Sequence, residues 1–456
     1  NGVLTVPDDK NIMYIGEDAF EDNDNVRIII LPKTVTQIDE YAFRNCKALE
    51  EVYFISQEKI TPANSSLSLI MRRAFYGCNN LKKVDLSNCK TITVVRQAFE
   101  NCTALEEIVE MTNIGTMGDR AFAGTALKTV DISDLHIAGK SVFEGCTALN
   151  SITTAKNSVI GERMFAGCTS LKSVEINASA VGAGAFAGCT GLSTVTFNPA
   201  LNFTVGDEAF RKCENLSTVN NANRIVRAGD KSFDGTPYFN SASAIYSNGG
   251  KTLVLAPAVI DSTFRLTGVT EIAPYAFSSS KLASGVTTIS LAGVEKIGEG
   301  AFAHLNITSV TIPSTVTEIA LHAFEDTALV KLVVPANVKF IGNYAFANCV
   351  SLNEVTFAAG SQLTETGDGV FAGCTSLTSV TLPENLKIMG SLSFSDCANL
   401  KTVSFPALTA LGSETFAGCK KLEQVTFAEG AGTVGTATFG RLIITSTGSL
   451  VFDGCT

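Results

Sequence analysis

One aromatic residue returns along this chain at a nearly constant interval, and that interval limits the possible folds more than anything else in the sequence. Phe stands at positions 20, 43, 75, 99, 122, 143, 165, 186, 210, 233, 277, 302, 324, 346, 371, 394, 416 and 439, with most gaps between 21 and 25 residues. Two gaps are longer, 32 after Phe43 and 44 after Phe233. Gly stands four residues before Phe in thirteen of the eighteen copies; the departures are Asp39, Met71, Val95, Ala273 and Ala320. A small residue, most often Ala, precedes Phe directly, and Cys often follows three positions later, as at Cys46, Cys168, Cys189, Cys374 and Cys419. A Leu and a short alternating run come next, as in Leu377 to Pro383 and Leu400 to Pro406.

The alternation Val-x-Phe or Val-x-Leu has the period of a half-buried strand. Pro ends that strand because it has no N–H to donate. A second apolar pair follows, as in Val35 to Ile38 or Val316 to Ile319. Gly is then expected to turn the chain, and the Ala-Phe segment has room for one or two helical turns. One such unit has a single apolar face and cannot bury it alone; stacked copies bury a continuous core, which is the logic of a solenoid. A chain of 456 residues could make about three ordinary domains, but the repeat replaces them with one stack.

The long gaps divide the stack into a first repeat block over 1–234, a variant coil over 235–262, a second block over 263–440, and an irregular cap or truncated repeat over 441–456. In the variant coil, Asn248-Gly249 between two alternating apolar runs predicts a β-hairpin. The 32-residue gap predicts a surface loop from Ile55 to Ser68. Both blocks carry a net charge of −5, from 23 basic and 28 acidic residues before position 235 and 11 and 16 from there on.

Composition narrows the function. Hydrophobic residues at 45 % supply a large core. A net charge of −10 disfavours a nucleic-acid partner, whose phosphates demand Lys and Arg. No apolar run approaches the roughly 20 residues of a membrane span. Twelve of the thirteen Cys sit three residues after a Phe, Cys89 being the exception. They are therefore expected to form a buried column of free thiols, with Thr125, Thr236 and Thr327 filling the same place by size. No Cys-x-x-Cys pair points to zinc, and His136, His304 and His322 fit surface or partly packed roles. No phosphate loop, His-Glu-x-x-His or Gly-x-Ser-x-Gly element is present. We therefore expect no enzyme, no cofactor and no metal.

Glu110, Thr154 and Asn221 stand where other copies place the last inward Phe or Leu of the strand. A buried unpaired carboxylate is costly, so Glu110 is expected to reach solvent through a local bend. The middle residue of Val-x-Phe points away from the core. That column supplies the candidate partner surface: Ile30, Tyr53, Asp85, Val109, Asp131 and Glu175 in the first block, and Thr311, Val333, Thr356 and Thr381 in the second. Thr and Ser are ordinary solvent-facing strand residues; apolar and aromatic groups among charges, as in the first block, are more typical of protein interfaces.

The unit Gly-x-x-Ala-Phe-x-x-Cys-x-x-Leu-x-x-Val-x-Phe/Leu-Pro, running from about Ile15 to Phe439, resembles the BspA-like class of leucine-rich repeats. The resemblance implies an α/β fold, a right-handed solenoid of short strands and short helical turns whose outward column lines one continuous concave sheet. It also implies an exported or surface-anchored protein of the kind found in gut and oral bacteria and some parasitic protozoa. Some members are adhesins that bind host matrix proteins. The expected role is thus a cell-surface or secreted binding scaffold, monomeric, with a protein partner such as a host extracellular-matrix protein; a passive spacer of the envelope is the alternative. The chain opens at Asn1 without Met or a signal segment, as a mature or trimmed chain would, so export rests on the resemblance.

Overall fold

Each repeat is one lap of backbone with a first strand, a second strand and a run of turns. In the lap that ends at Phe43, the first strand is Ile28–Leu31, the second is Gln37–Ile38, and the turns surround Phe43. The computed structural model describes residues 2–7, 11–54, 66–154, 160–241, 243–427, 437–439 and 442–444. Most of the predicted loop from Ile55 to Ser68 therefore lies outside the described residues, as does most of the tail. Within the tail, Ala437–Phe439 and Leu442–Ile444 pair antiparallel, unlike the parallel laps.

The chain divides into two units, Asn1–Ile225 with Lys231–Ser241, and Val226–Asp230 with Ala242–Thr456. In the first unit, the first strands Val3–Thr5, Ile28–Leu31, Glu51–Phe54, Lys83–Asp85 and Glu107–Val109 form one five-stranded parallel sheet. The second strands from Tyr14–Ile15 to Ile137–Ala138 form a six-stranded sheet on another side of the laps. In the second unit, a nine-stranded sheet gathers the second strands and is headed by the antiparallel pair Ile245–Ser247 and Thr252–Leu255. Asn248 and Gly249 make the connecting turn in left-handed backbone, φ 53° and 65°, as the sequence predicts.

The recurrent Phe side chains stack. In the first unit ten rings from Phe20 to Phe233 lie 4.9 to 5.6 Å apart with planes within 16°. In the second, seven rings from Phe277 to Phe416 lie 4.8 to 5.8 Å apart. Tyr238 ends the first column, tilted 56° on Phe233, and Phe264 meets Phe277 edge-on at 84°. The inward strand residues are buried beside the rings: Val52 and Phe54 are at most 1 % exposed, while Glu51 and Tyr53 alternate with them outward.

The expected helical turns around Ala-Phe are not helix. Among the described residues the α-helix is limited to Pro237–Ser241, so strands and turns make this a β-solenoid rather than the α/β class expected. The cause is local. The residues two before and two after Phe adopt left-handed backbone, as at Tyr41 and Asn45 (φ 59° and 57°), and helices do not propagate through such residues. Alternate amides close turns, Arg44 N–H to the Tyr41 carbonyl at 2.8 Å; those between them reach the next lap, Phe43 N–H to Ala74 O at 2.7 Å and Asn45 N–H to Tyr76 O at 2.8 Å. The turn side is thereby laddered between laps much as the sheets are.

The motif Gly also has a different task from the turning expected of it. Gly118, Gly182, Gly342 and Gly412 need no left-handed backbone; the preceding lap passes too close for a side chain. A Cβ on Gly342 would lie 2.6 Å from the Leu321 nitrogen. The bend at Glu110 occurs as expected: Glu110 is exposed, turns left-handed at φ 57° and opens the 3-10 turn Met111–Asn113. Asn221 repeats this with φ 58° and Ala222–Arg224, whereas Thr154 stays buried and donates to the Glu175 carbonyl at 3.1 Å.

Candidate interaction surface

Parallel register sets the outward residues of the first strands side by side. Thr5, Ile30, Tyr53, Asp85 and Val109 are successive partners across the five-stranded sheet. The last four are half-buried. Asp131 pairs with Thr153, and Glu175 with Thr196 and then Asn220. In the second unit Val333 pairs with Thr356, and Thr381 with Ser404 and Thr426. Val333 is 58 % exposed. Thr311 is exposed outside any assigned strand. The column is thus a set of short ladders, broken after Val109, Thr153 and Thr356.

Several of these groups already have local duties. Asp85 accepts from Ser87 N–H at 3.0 Å and from the Ser87 hydroxyl. Asp131 accepts from Ser133 N–H at 2.9 Å. Both carboxylates close Asx turns at strand ends, a role their position in the sequence did not disclose. The Tyr53 hydroxyl donates to Glu51; that bond, then burial, pushes its pKa up to about 12. Beside the column the charges pair across laps: Glu50 lies 2.8 Å from Arg27 and 3.1 Å from Lys82, and these cations hold its carboxyl below the usual range, Lys82 first. What stays uncommitted is the apolar and aromatic part: Ile30, the Tyr53 ring and Val109.

A second ordered surface, not anticipated from the sequence, runs along the turn side of the first unit. Tyr41 lies under the guanidinium groups of Arg44 and Arg72, at 4.9 and 5.3 Å. Arg120 bridges Glu100 and Glu144, both at 2.7 Å, and Arg163 meets Glu144 at 2.5 Å. The available signal was the return of Arg, Glu and Tyr just before and after Phe. These charges are satisfied by one another across laps.

The column next to the Phe rings is thiol. The Phe43 carbonyl accepts Cys46 N–H from its own turn at 3.4 Å and the Cys78 thiol from the next lap at 2.9 Å. The same bond recurs from Cys102 to Phe75, Cys189 to Phe165 and Cys419 to Phe394, at 3.0 to 3.1 Å. Thr125 gives its hydroxyl to the Phe122 carbonyl at 2.9 Å and lies 3.2 Å from the Cys146 sulfur. In these laps the place holds a small group that also donates to the preceding lap or its own turn. Among the described residues twelve cysteines are free and buried, and burial pushes Cys146 and Cys349 up to about 11 and Cys397 up to about 12.

These thiols carry a prediction. A proton held more tightly in the folded chain costs nothing below the unfolded-state value, 9.0 for Cys146, and stability falls as pH rises from there toward 11. Melting temperature should therefore show no thiol-dependent fall at neutral pH and should drop above about pH 9. Iodoacetamide should label none of these twelve cysteines before unfolding, as read site by site by mass spectrometry; rapid labelling at any of them in the native chain would contradict their burial.

Among the described residues no group of three or more His, Cys, Asp and Glu side chains could hold a metal ion. His304 pairs with Asp326 at 3.0 Å, and His322 with Glu325 at 2.7 Å while stacking on Tyr344. No described helix is long and apolar enough to cross a membrane.

The model of the BspA type leucine rich repeat region matches residues 14–150, 68–181, 158–244, 270–364 and 359–448. The chain belongs to this family. It is a repeat family rather than a catalytic one. Among solved structures, a leucine-rich repeat protein from Bacteroides ovatus is 21 % identical, with 93 % of this chain and 86 % of that one covered and a TM-score of 0.33. A leucine rich cell surface protein from Faecalibacterium prausnitzii is 21 % identical over 94 % and 88 %, with a TM-score of 0.32. A leucine-rich repeat protein from Eubacterium ventriosum is 18 % identical over 100 % and 90 %, with a TM-score of 0.34. Comparison with curated proteins gave no match. For a BspA-type chain, the repeat supports a scaffold for protein interaction.

Proposed function

We propose that this BspA-type chain is a non-enzymatic scaffold, displayed on a cell surface or secreted, that binds a protein partner through the first-strand side of its laps. The observation that carries the reading is the single register placing Ile30, Tyr53, Asp85 and Val109 side by side. An aromatic and two aliphatic groups, rimmed by charges that already neutralise one another, form the composition of an interface centre. In this reading the chain acts as a monomer wound right-handed, the sense of nearly all parallel crossovers, and extracellular-matrix proteins are the first partners to try.

The test is a binding screen against purified extracellular-matrix proteins, followed by Ile30→Lys combined with Tyr53→Ala. Both residues lie on the outward column, and neither closes a turn as Asp85 does. Saturable binding should weaken by roughly tenfold or more with the melting temperature unchanged. Retained binding would remove this surface. No binding by the wild type to any protein of the panel would favour a passive envelope spacer.

A further inference from the structure

The two laps that end at Phe371 and Phe394 part on one side only. Their first strands, Glu354–Phe357 and Ser379–Thr381, share no ladder, although the former pairs with Lys331–Val334 and the latter with Thr402–Phe405. Elsewhere the laps stay joined. Phe371 N–H reaches the Ser393 carbonyl at 2.9 Å on the turn side, Lys387 N–H reaches Thr364 O at 2.9 Å, and the second strands pair at Glu365 and Ile388. A cleft of about 690 Å³ opens where the ladder is missing. That volume lies in the range of pockets that enclose a ligand group.

The walls indicate what would enter. Phe357 lines the cleft and is half-buried, whereas Phe54, Phe197 and Phe405 at the same strand position are at most 1 % exposed. With no bonded strand above it, an inward phenyl keeps one side open beside Pro383. Thr356 and Thr381 stand exposed at the mouth, with the carboxylates of Glu354 and Glu384. Lys331 meets Glu354 at 2.6 Å, and Glu384 leaves the rim net negative. An apolar group would cover the open phenyl, and a cation next to it would meet the acidic rim. A protein segment offers both on adjacent residues.

Building on the scaffold reading, we propose that this cleft binds an extended peptide segment of a partner protein, which inserts one apolar side chain over Phe357 with a Lys or Arg beside it. The probe is a phage-displayed library of short linear peptides panned against the whole chain. Enriched peptides should share an apolar anchor next to a basic residue. Thr381→Trp, which plugs the mouth from an exposed position, should weaken them by roughly tenfold or more. Glu384→Lys should weaken them severalfold, and added salt should do the same. Ile30→Lys with Tyr53→Ala should leave their affinity unchanged, so this outcome is read separately from the partner screen. No enrichment, or peptides that bind both cleft variants as well as wild type, would overturn the proposal.

Discussion

Phe186→Ala should destabilise its unit by about 3–5 kcal/mol, measured as a lower midpoint in urea unfolding. Phe186 is fully buried, and its ring lies 5.4 Å from Phe165 on one side and 5.4 Å from Phe210 on the other. The backbone around the ring is tied on both sides: its N–H reaches Ala209 O at 2.8 Å, and its carbonyl accepts the Cys213 thiol at 3.1 Å. Neighbouring laps held by such bonds cannot close over the lost ring, so much of the cavity stays open. In a stack, stability is the sum of lap terms and nearest-neighbour terms, and this substitution weakens the contacts of one lap with two others. A shift of less than about 1 kcal/mol would mean that the rings do not carry the core.

Gly342→Val should cost about 3 kcal/mol, while Gly16→Val should be close to neutral. Both stand four residues before the repeat Phe and have ordinary backbone angles. A Cβ on Gly342 would sit 2.6 Å from the Leu321 nitrogen and 2.8 Å from the Ala320 carbonyl carbon. These are backbone atoms of the preceding lap, fixed by the sheet, and cannot move aside as a flexible side chain would. Gly16 has nothing within 4 Å, because it belongs to the first lap. Paired thermal melts separate the explanations: equal losses at both sites would point to a turn requirement, and a loss at Gly342 alone to crowding between laps.

That glycine shows where reading the residues stopped. The recurrence of Gly was plain, but its cause lies in a chain segment some twenty residues away, and one unit read alone suggests only a turn. The Ala-Phe segment misled for a similar reason. Its length and spacing suit a helical turn; the alternate amides that reach the next lap, as from Phe43 to Ala74, compete with helix only once two laps are stacked. Asp85 looked like a free surface charge because its acceptor role toward Ser87 depends on where the strand ends.

From residues alone came everything that depends on period: the rings in file, the thiols beside them, the alternation that buries Val52 and Phe54, and the exit of Glu110 to solvent. Each follows because burial acts on one repeat in the same way as on the next, so a regular spacing has one low-energy packing. Stacking itself decided the rest: which ladders close, which stay open beside Phe357, and which amides turn inward or reach across. Those outcomes are set by the contacts between laps, which exist only when all the neighbours are in place.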